Sequence, residues 1–264
     1  MKLFDYHIHT ELSPDSATTL KEAIDEAYNK GLSEIAITDH FNFRPSGCHD
    51  SVEKFIDYYE KYKAFCEENK SGIPVKFGIE IGQCYLEPNM FTELINAVPY
   101  DFVLSSVHAV GDTDLYSFTY TKESIDYLVN GYLELVYKIA DEYDFDCLAH
   151  INLIRRYAAR DDIWVDFSKY EDKLIAILKR VVERNKGLEI NTSGIRQVVK
   201  EAIPDEYIVS LFKRLGGKIL TIGSDAHNIA QIGMHVAEGI EVAKNSGFTE
   251  ICTFENRTPI FHSI

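Results

Sequence analysis

Seven short apolar runs in this chain each end on a residue able to ligate a metal ion or bind an anion. In order they are Tyr6-His7-Ile8-His9, Ile37-Thr38-Asp39-His40, Gly78-Ile79-Glu80, Ser106-Val107-His108, Leu148-Ala149-His150, Glu189-Ile190-Asn191 and Gly223-Ser224-Asp225-Ala226-His227. Six of the nine histidines stand at these ends. Strands that alternate with helices assemble as a parallel sheet. Polar residues gathered where the strands finish place a site at one rim of a barrel. The residue types indicate the chemistry expected there: divalent cations held by imidazole and carboxylate.

Between the runs lie amphipathic segments with helical spacing. Thr19 and Glu22 form a capping box ahead of Leu20, Ala23, Ile24, Ala27 and Tyr28, and Gly31 stops that helix. A second helix is predicted over 51–69, with Phe55, Ile56, Tyr59 and Phe65 on one face, a third after Pro88 and a fourth over 122–143. A fifth covers 169–185, and Pro204 opens a sixth that Gly216-Gly217 closes. There is no linker rich in Gly, Ser or Pro, no low-complexity tract and no repeat, so residues 1–264 are expected to form a single domain. Two long connections, 41–50 and 151–168, follow strand ends and are expected to lie over the site.

Composition narrows the partners. With 45% apolar residues the chain can bury a substantial core. Its formal charge of -15 opposes binding to long nucleic acids, which relies on a basic face. A small anionic substrate remains compatible, because bound cations reverse the local field. Cys48, Cys66, Cys84, Cys147 and Cys252 are scattered, with no C-x-x-C pair, as in proteins of a reduced compartment. The first strand begins by Leu3, which leaves no room for a signal peptide, and no apolar stretch approaches the roughly 20 residues of a membrane span. The expectation is a soluble, cytoplasmic protein.

In a strand, residues i and i+2 point the same way, so His7 and His9 can grip one cation. An H-x-H pair also occurs without metal; the inference rests on the other histidines and acids that end strands alongside it. The set His7-x-His9, Thr38-Asp39-His40, Glu80, His108, His150 and Ser224-Asp225-Ala226-His227 resembles the PHP (polymerase and histidinol phosphatase) family across nearly the whole chain. With no polymerase attached, the length is similar to that of the stand-alone histidinol-phosphate phosphatases of that family. The resemblance implies a distorted seven-stranded (β/α) barrel with three divalent metal ions, zinc, manganese or iron, at the carboxyl ends of the strands.

Carried onto this sequence, the resemblance implies that His7, His9, Glu80 and Asp225 hold the first metal. Glu80 bridges to the second, completed by His108 and His150, while Asp15, His40 and His227 hold the third. Position 15 departs from the family, some of whose members use histidine there. Asp15 lies in the loop Ser13-Pro14-Asp15 and also reads as an ordinary turn residue. Three divalent ions outweigh Asp15, Glu80 and Asp225 by a net charge of about +3, enough to draw in a phosphate monoester dianion. Metals sharing Glu80 can share a water and turn it into a hydroxide for direct attack, with no phosphoenzyme.

Asp225 and His227 are the nearest candidates for moving a proton to the leaving group, and Asp39 reads either as an orienting residue or as a strand-end cap. Arg160 and Arg196 are expected to clasp the phosphate through their planar forks, Arg155 and Arg156 being alternatives to Arg160, with Asn191 and Ser193 as minor contributors. His49 is a candidate for reaching the substrate, whereas His235 and His262 read as structural. Phe43, Tyr116 and Phe118 fall in rim loops and are candidates for stacking on a substrate ring.

The expected activity is metal-dependent hydrolysis of L-histidinol phosphate in histidine biosynthesis. A nucleotide, short oligonucleotide or phosphotyrosine is the alternative substrate, and a non-catalytic metal-binding interaction module the alternative of another class. The apparently complete ligand set argues against that module. Amidohydrolases also begin with H-x-H but use a lysine where Glu80 closes the third strand here. Oligomeric state and the residues that recognise the imidazole are not legible.

Overall fold

Seven strands stand side by side in chain order: β1 (Phe4–Ile8), β2 (Glu34–Ile37), β3 (Val75–Gly82), β4 (Phe102–Ser106), β5 (Cys147–Leu148), β6 (Gly187–Asn191) and β7 (Leu220–Gly223). Each pairs with the next in parallel. Helices cover the outer face and side chains fill the interior, which is why β1, β4, β6 and β7 are buried along their whole length. The structure, a computed structural model, describes residues 2–44, 51–68 and 72–264. His49 and Cys48, with most of the connection 41–50, lie outside the described residues.

The ring closes nearly completely between β7 and β1. Ile8 bridges to Ala226, whose carbonyl accepts the His9 N–H at 2.9 Å. The buried carboxylate of Asp5 reinforces the seam by accepting from the Ser224 N–H at 2.8 Å, the Ser224 hydroxyl at 2.5 Å and the Gly233 N–H at 2.7 Å. Asp5→Ala removes these acceptors and strands two backbone donors, so the unfolding free energy should fall by about 3 kcal/mol. Urea denaturation measures this; an unchanged midpoint would remove Asp5 from the seam.

After β2 the chain breaks at Thr38-Asp39 and resumes as a short strand, His40–Asn42, whose register sets His40 beside Glu80 of β3. The Asp39 carboxylate accepts from the Thr10 N–H, the Thr10 hydroxyl and the Ser13 hydroxyl, each at 2.6 Å. It thereby fastens the loop that follows β1.

The helices run over Leu20–Asn29, Val52–Glu68, Pro88–Ala97, Ile125–Glu142, Glu171–Glu183 and Glu206–Arg214. The Thr19/Glu22 capping box is formed. The fourth helix starts later than its apolar spacing predicts, because Thr121 and Ser124 hydrogen-bond to each other in the turn before it. The sixth is capped by Asp205, which accepts from the Ile208 N–H, so Pro204 lies outside it. Sequence spacing did not reveal a further helix, Val236–Asn245, or the hairpin Glu250–Glu255/Thr258–Ser263.

The hairpin sits against the amino-terminal ends of the strands. Phe254 packs on Phe102 at 4.8 Å between ring centroids, and the Arg257 guanidinium meets Asp144 and Asp146 ahead of β5. His262 lies here, with its ring against Phe4, far in the fold from the carboxyl rim. Among the described residues, no helix is long and apolar enough to cross a membrane.

Candidate metal centre

Glu80, fully buried on β3, is the hub of the carboxyl rim. Its Oε2 lies 3.2 Å from His7 Nε2 and 2.8 Å from His40 Nδ1. Its Oε1 lies 3.2 Å from His108 Nε2 and 2.9 Å from His150 Nε2. Asp225 faces the same space, with Oδ1 3.4 Å from His9 Nε2 and 3.5 Å from His227 Nδ1. Asp15, half-exposed, closes the outer side, its Oδ2 3.5 Å from His40 Nε2 and 3.3 Å from His227 Nε2. The nine residues singled out as ligands thus converge on one cluster. Their distribution into ion sites is less exclusive than three separate sets: His7 belongs with Glu80 and His150 but also with His9 and Asp225, and His9 groups with His40 and His227.

The donor atoms suit cations rather than one another. His9 Nε2 and His40 Nδ1 are buried and make no hydrogen bond. Several imidazoles have their other nitrogen occupied: His9 Nδ1 by the Ser13 hydroxyl at 3.2 Å, His7 Nδ1 by Glu189 at 2.5 Å and His108 Nδ1 by Asn42 at 2.9 Å. The remaining nitrogen of each points at the carboxylates. Such outer hydrogen bonds fix ring orientation and tautomer for metal binding.

Electrostatics reinforce this reading. Burial raises the Glu80 carboxyl pKa, but His40, His7 and His108 outweigh it and hold the group well below the usual range. Asp225 behaves likewise through His7, His9 and Arg156. Burial lowers the His40 imidazole, yet Glu80 and Asp15 more than reverse this and lift it to about 10. His7 is raised in the same sense by Glu189, Glu80 and Asp225 against the effect of burial. The same carboxylates favour the protonated form of both imidazoles when no cation is present, and a binding cation must displace those protons. Metal affinity should therefore fall as pH falls, with protons released on binding. Calorimetry in two buffers of different ionisation enthalpy checks this; identical heats in both would contradict it.

A cavity of about 820 Å³ opens over the cluster, lined among others by Asp15, His40, His108, Arg156, Arg196 and His227. The connection 151–168 contributes to its wall through a short helix, Ile154–Ala158, that carries Arg156 and Tyr157. Arg156 donates to Asp225 Oδ2 at 2.8 Å and to the Ser193 hydroxyl at 2.6 Å. Arg196 donates to the Ser224 and Asp225 carbonyls at 2.6 and 2.8 Å. Arg160 is exposed and does not line the cavity: it donates to the Tyr116 carbonyl at 2.6 Å and lies over the Tyr116 and Tyr157 rings.

Tyr116 lines the cavity, whereas Phe43 is fully buried in the core, Phe118 packs against Tyr120, and His235 pairs with Glu238. Asn191 and Ser193 bond to each other and link Glu189 to Arg156. Sequence reasoning missed Gln83, whose Oε1 accepts the His108 N–H at 2.7 Å from a backbone with φ +52°. A polar residue just past Glu80 and Gly82 was the available signal.

Imidazoles and carboxylates gathered at the carboxyl rim of a parallel barrel define a barrel protein built to hold divalent metal ions. Comparison with known proteins places it further. The chain belongs to the PHP domain family, which matches residues 5–193. The histidinol-phosphatase of Lactococcus lactis is 29% identical over 257 residues, covering 96% of this chain and 95% of its own length. A Clostridium acetobutylicum protein named as a probable histidinol-phosphatase is 33% identical over 266 residues, covering 97% and 98%. The crystal structure of the L. lactis histidinol phosphate phosphatase complexed with zinc, L-histidinol and phosphate matches with a TM-score of 0.84 at 27% identity, over 98% of this chain and 99% of that one.

Proposed function

We infer that this protein is a metal-dependent phosphatase that hydrolyses L-histidinol phosphate to L-histidinol and phosphate. The observation that carries the reading is the convergence of Glu80, Asp225 and the rim histidines beneath a cavity walled by Arg156 and Arg196. The chain also matches, over almost its full length, a relative whose structure holds zinc, histidinol and phosphate. Divalent cations in such a site supply the Lewis acidity that activates water and offsets phosphate charge.

The residues divide the remaining work. His7, His9, Asp15, His40, Glu80, His108, His150, Asp225 and His227 are the proposed ligands for three ions of zinc, manganese or iron. Arg156 and Arg196 stand where a phosphate entering the cavity meets guanidinium groups already held by carboxylate or carbonyl oxygens. Arg160 acts from behind, by holding Tyr116 and Tyr157. Asp225 is kept ionised by His7, His9 and Arg156 and so does not donate a proton. His227, although it borders the open cavity, has Nδ1 against the Asp225 carbonyl at 3.1 Å and Nε2 in the proposed ligand set, which leaves it no proton to give the leaving oxygen. Residues 1–264 act as one barrel domain in a reduced, cytoplasmic setting, a reading supported by the free thiols of Cys66, Cys84, Cys147 and Cys252.

Phosphate release from histidinol phosphate, nucleoside monophosphates and phosphotyrosine, measured side by side, tests the substrate. Chelation should cut turnover by about a hundredfold or more, and added Zn²⁺, Mn²⁺ or Fe²⁺ should restore it. Preference for a nucleotide, or turnover indifferent to chelator, would overturn the reading.

A further inference from the structure

Glu189 is buried on β6, and the bonds its carboxylate makes lead to the metal centre. Its Oε1 lies 2.5 Å from His7 Nδ1, while Oε2 accepts the His150 backbone N–H at 3.0 Å and the Asn191 side-chain N–H at 3.2 Å. We propose that Glu189 is the positioning carboxylate of the centre: it fixes His7 with Nε2 directed inward and clamps the backbone that delivers His150.

Two observations independent of these distances support the assignment. A Cβ at position 223 would overlap both Glu189 Oε1 and the Cβ of His7, so the glycine there is what lets the carboxylate reach the imidazole. His150 has φ +25°, a conformation that costs a non-glycine residue of order 1–3 kcal/mol and persists only where its surroundings impose it. The bond from its N–H to Glu189 Oε2 and the bond from the Tyr132 hydroxyl to its carbonyl at 3.2 Å supply that restraint. His108 offers an internal contrast. Its Nδ1 meets the neutral amide oxygen of Asn42, across Gly82, whose Cβ would overlap that oxygen. His7 has a carboxylate in the equivalent place, which makes it the stronger electron donor of the two.

The proposal rests on divalent metals occupying the cluster, which metal titration of the unsubstituted protein tests separately. Glu189→Gln keeps the volume but turns an N–H donor toward either His7 Nδ1 or the His150 N–H. Affinity for Zn²⁺, read by competition with a chromophoric chelator, should weaken about 10–100-fold. Circular dichroism should show the metal-free variant still folded at the titration temperature, although its melting temperature falls because the buried His7 imidazole loses a charged partner. Glu189→Asp should recover part of the affinity. Wild-type affinity in Glu189→Gln would overturn the proposal. If that variant fails to fold, ¹⁵N-histidine NMR of the unsubstituted, zinc-loaded protein decides. A hydrogen-bonded proton on His7 Nδ1 supports the assignment; a proton on His7 Nε2 refutes it.

Discussion

Exchange of Glu80 for glutamine is expected to lower kcat/KM for histidinol phosphate by about a thousandfold or more. One carboxylate oxygen serves His7 and His40 and the other serves His108 and His150, so every imidazole pair around the hub depends on a group that only accepts. Glutamine fills the same volume but must turn its N–H₂ toward one pair. That places a donor where ligand nitrogens and a cation require an acceptor, and it removes one negative charge from a buried site. Elemental analysis should show loss of bound metal, and circular dichroism an unchanged fold, since the substitution opens no cavity. Kinetics and metal content must move together. Full turnover in Glu80→Gln would remove Glu80 from the centre of the chemistry.

The arrangement around Glu80 was legible in the sequence because strand periodicity is local. Apolar runs of strand length each finishing on an imidazole or carboxylate can be read one at a time, and parallel order brings their ends together without further information. What resisted reading depends on distances between segments. Glu189 lies in the middle of β6, two residues before its end, and only the fold shows that it reaches His7 across the space left by Gly223. Asp39 looked equally like an orienting residue and a cap; its bonds to Thr10 and Ser13, the latter touching His9 Nδ1, make it the fastener of the β1 loop.

The arginines were ambiguous for a related reason. The helix Ile154–Ala158 gives way to a tighter turn, Ala159–Asp161, and this change of winding carries Arg160 away to Tyr116 while Arg156 stays on the cavity wall. The hairpin Glu250–Glu255/Thr258–Ser263 escaped notice because its two antiparallel strands follow one another directly, without the strand–helix alternation that marked the others.

Arg156→Ala is expected to lower kcat/KM by about 10²–10³-fold, more than either Arg160→Ala or Arg196→Ala. The Arg156 guanidinium bonds to Asp225 Oδ2, the Ser193 hydroxyl and the Tyr157 hydroxyl at 2.7 Å, so its charge is fixed in direction before any anion arrives. Truncation removes the anion partner and also one of the cations that hold Asp225 ionised, His7 remaining, so metal-free stability should fall as well. Arg156→Lys should recover the charge but not the fork, giving an intermediate kcat/KM. Arg196 bonds only to neutral carbonyl and amide oxygens, so removing it should cost substrate affinity without taking a hydrogen-bond partner from the Asp225 carboxylate. Arg160→Ala should shift KM less than either, because its guanidinium supports Tyr116 and Tyr157 rather than facing the cavity. Steady-state kinetics of the three variants with histidinol phosphate, alongside their metal content, give the order. Should Arg160→Ala prove the most damaging, the phosphate must enter on the Tyr116 side, and Arg156 would be left as a support for Asp225 alone.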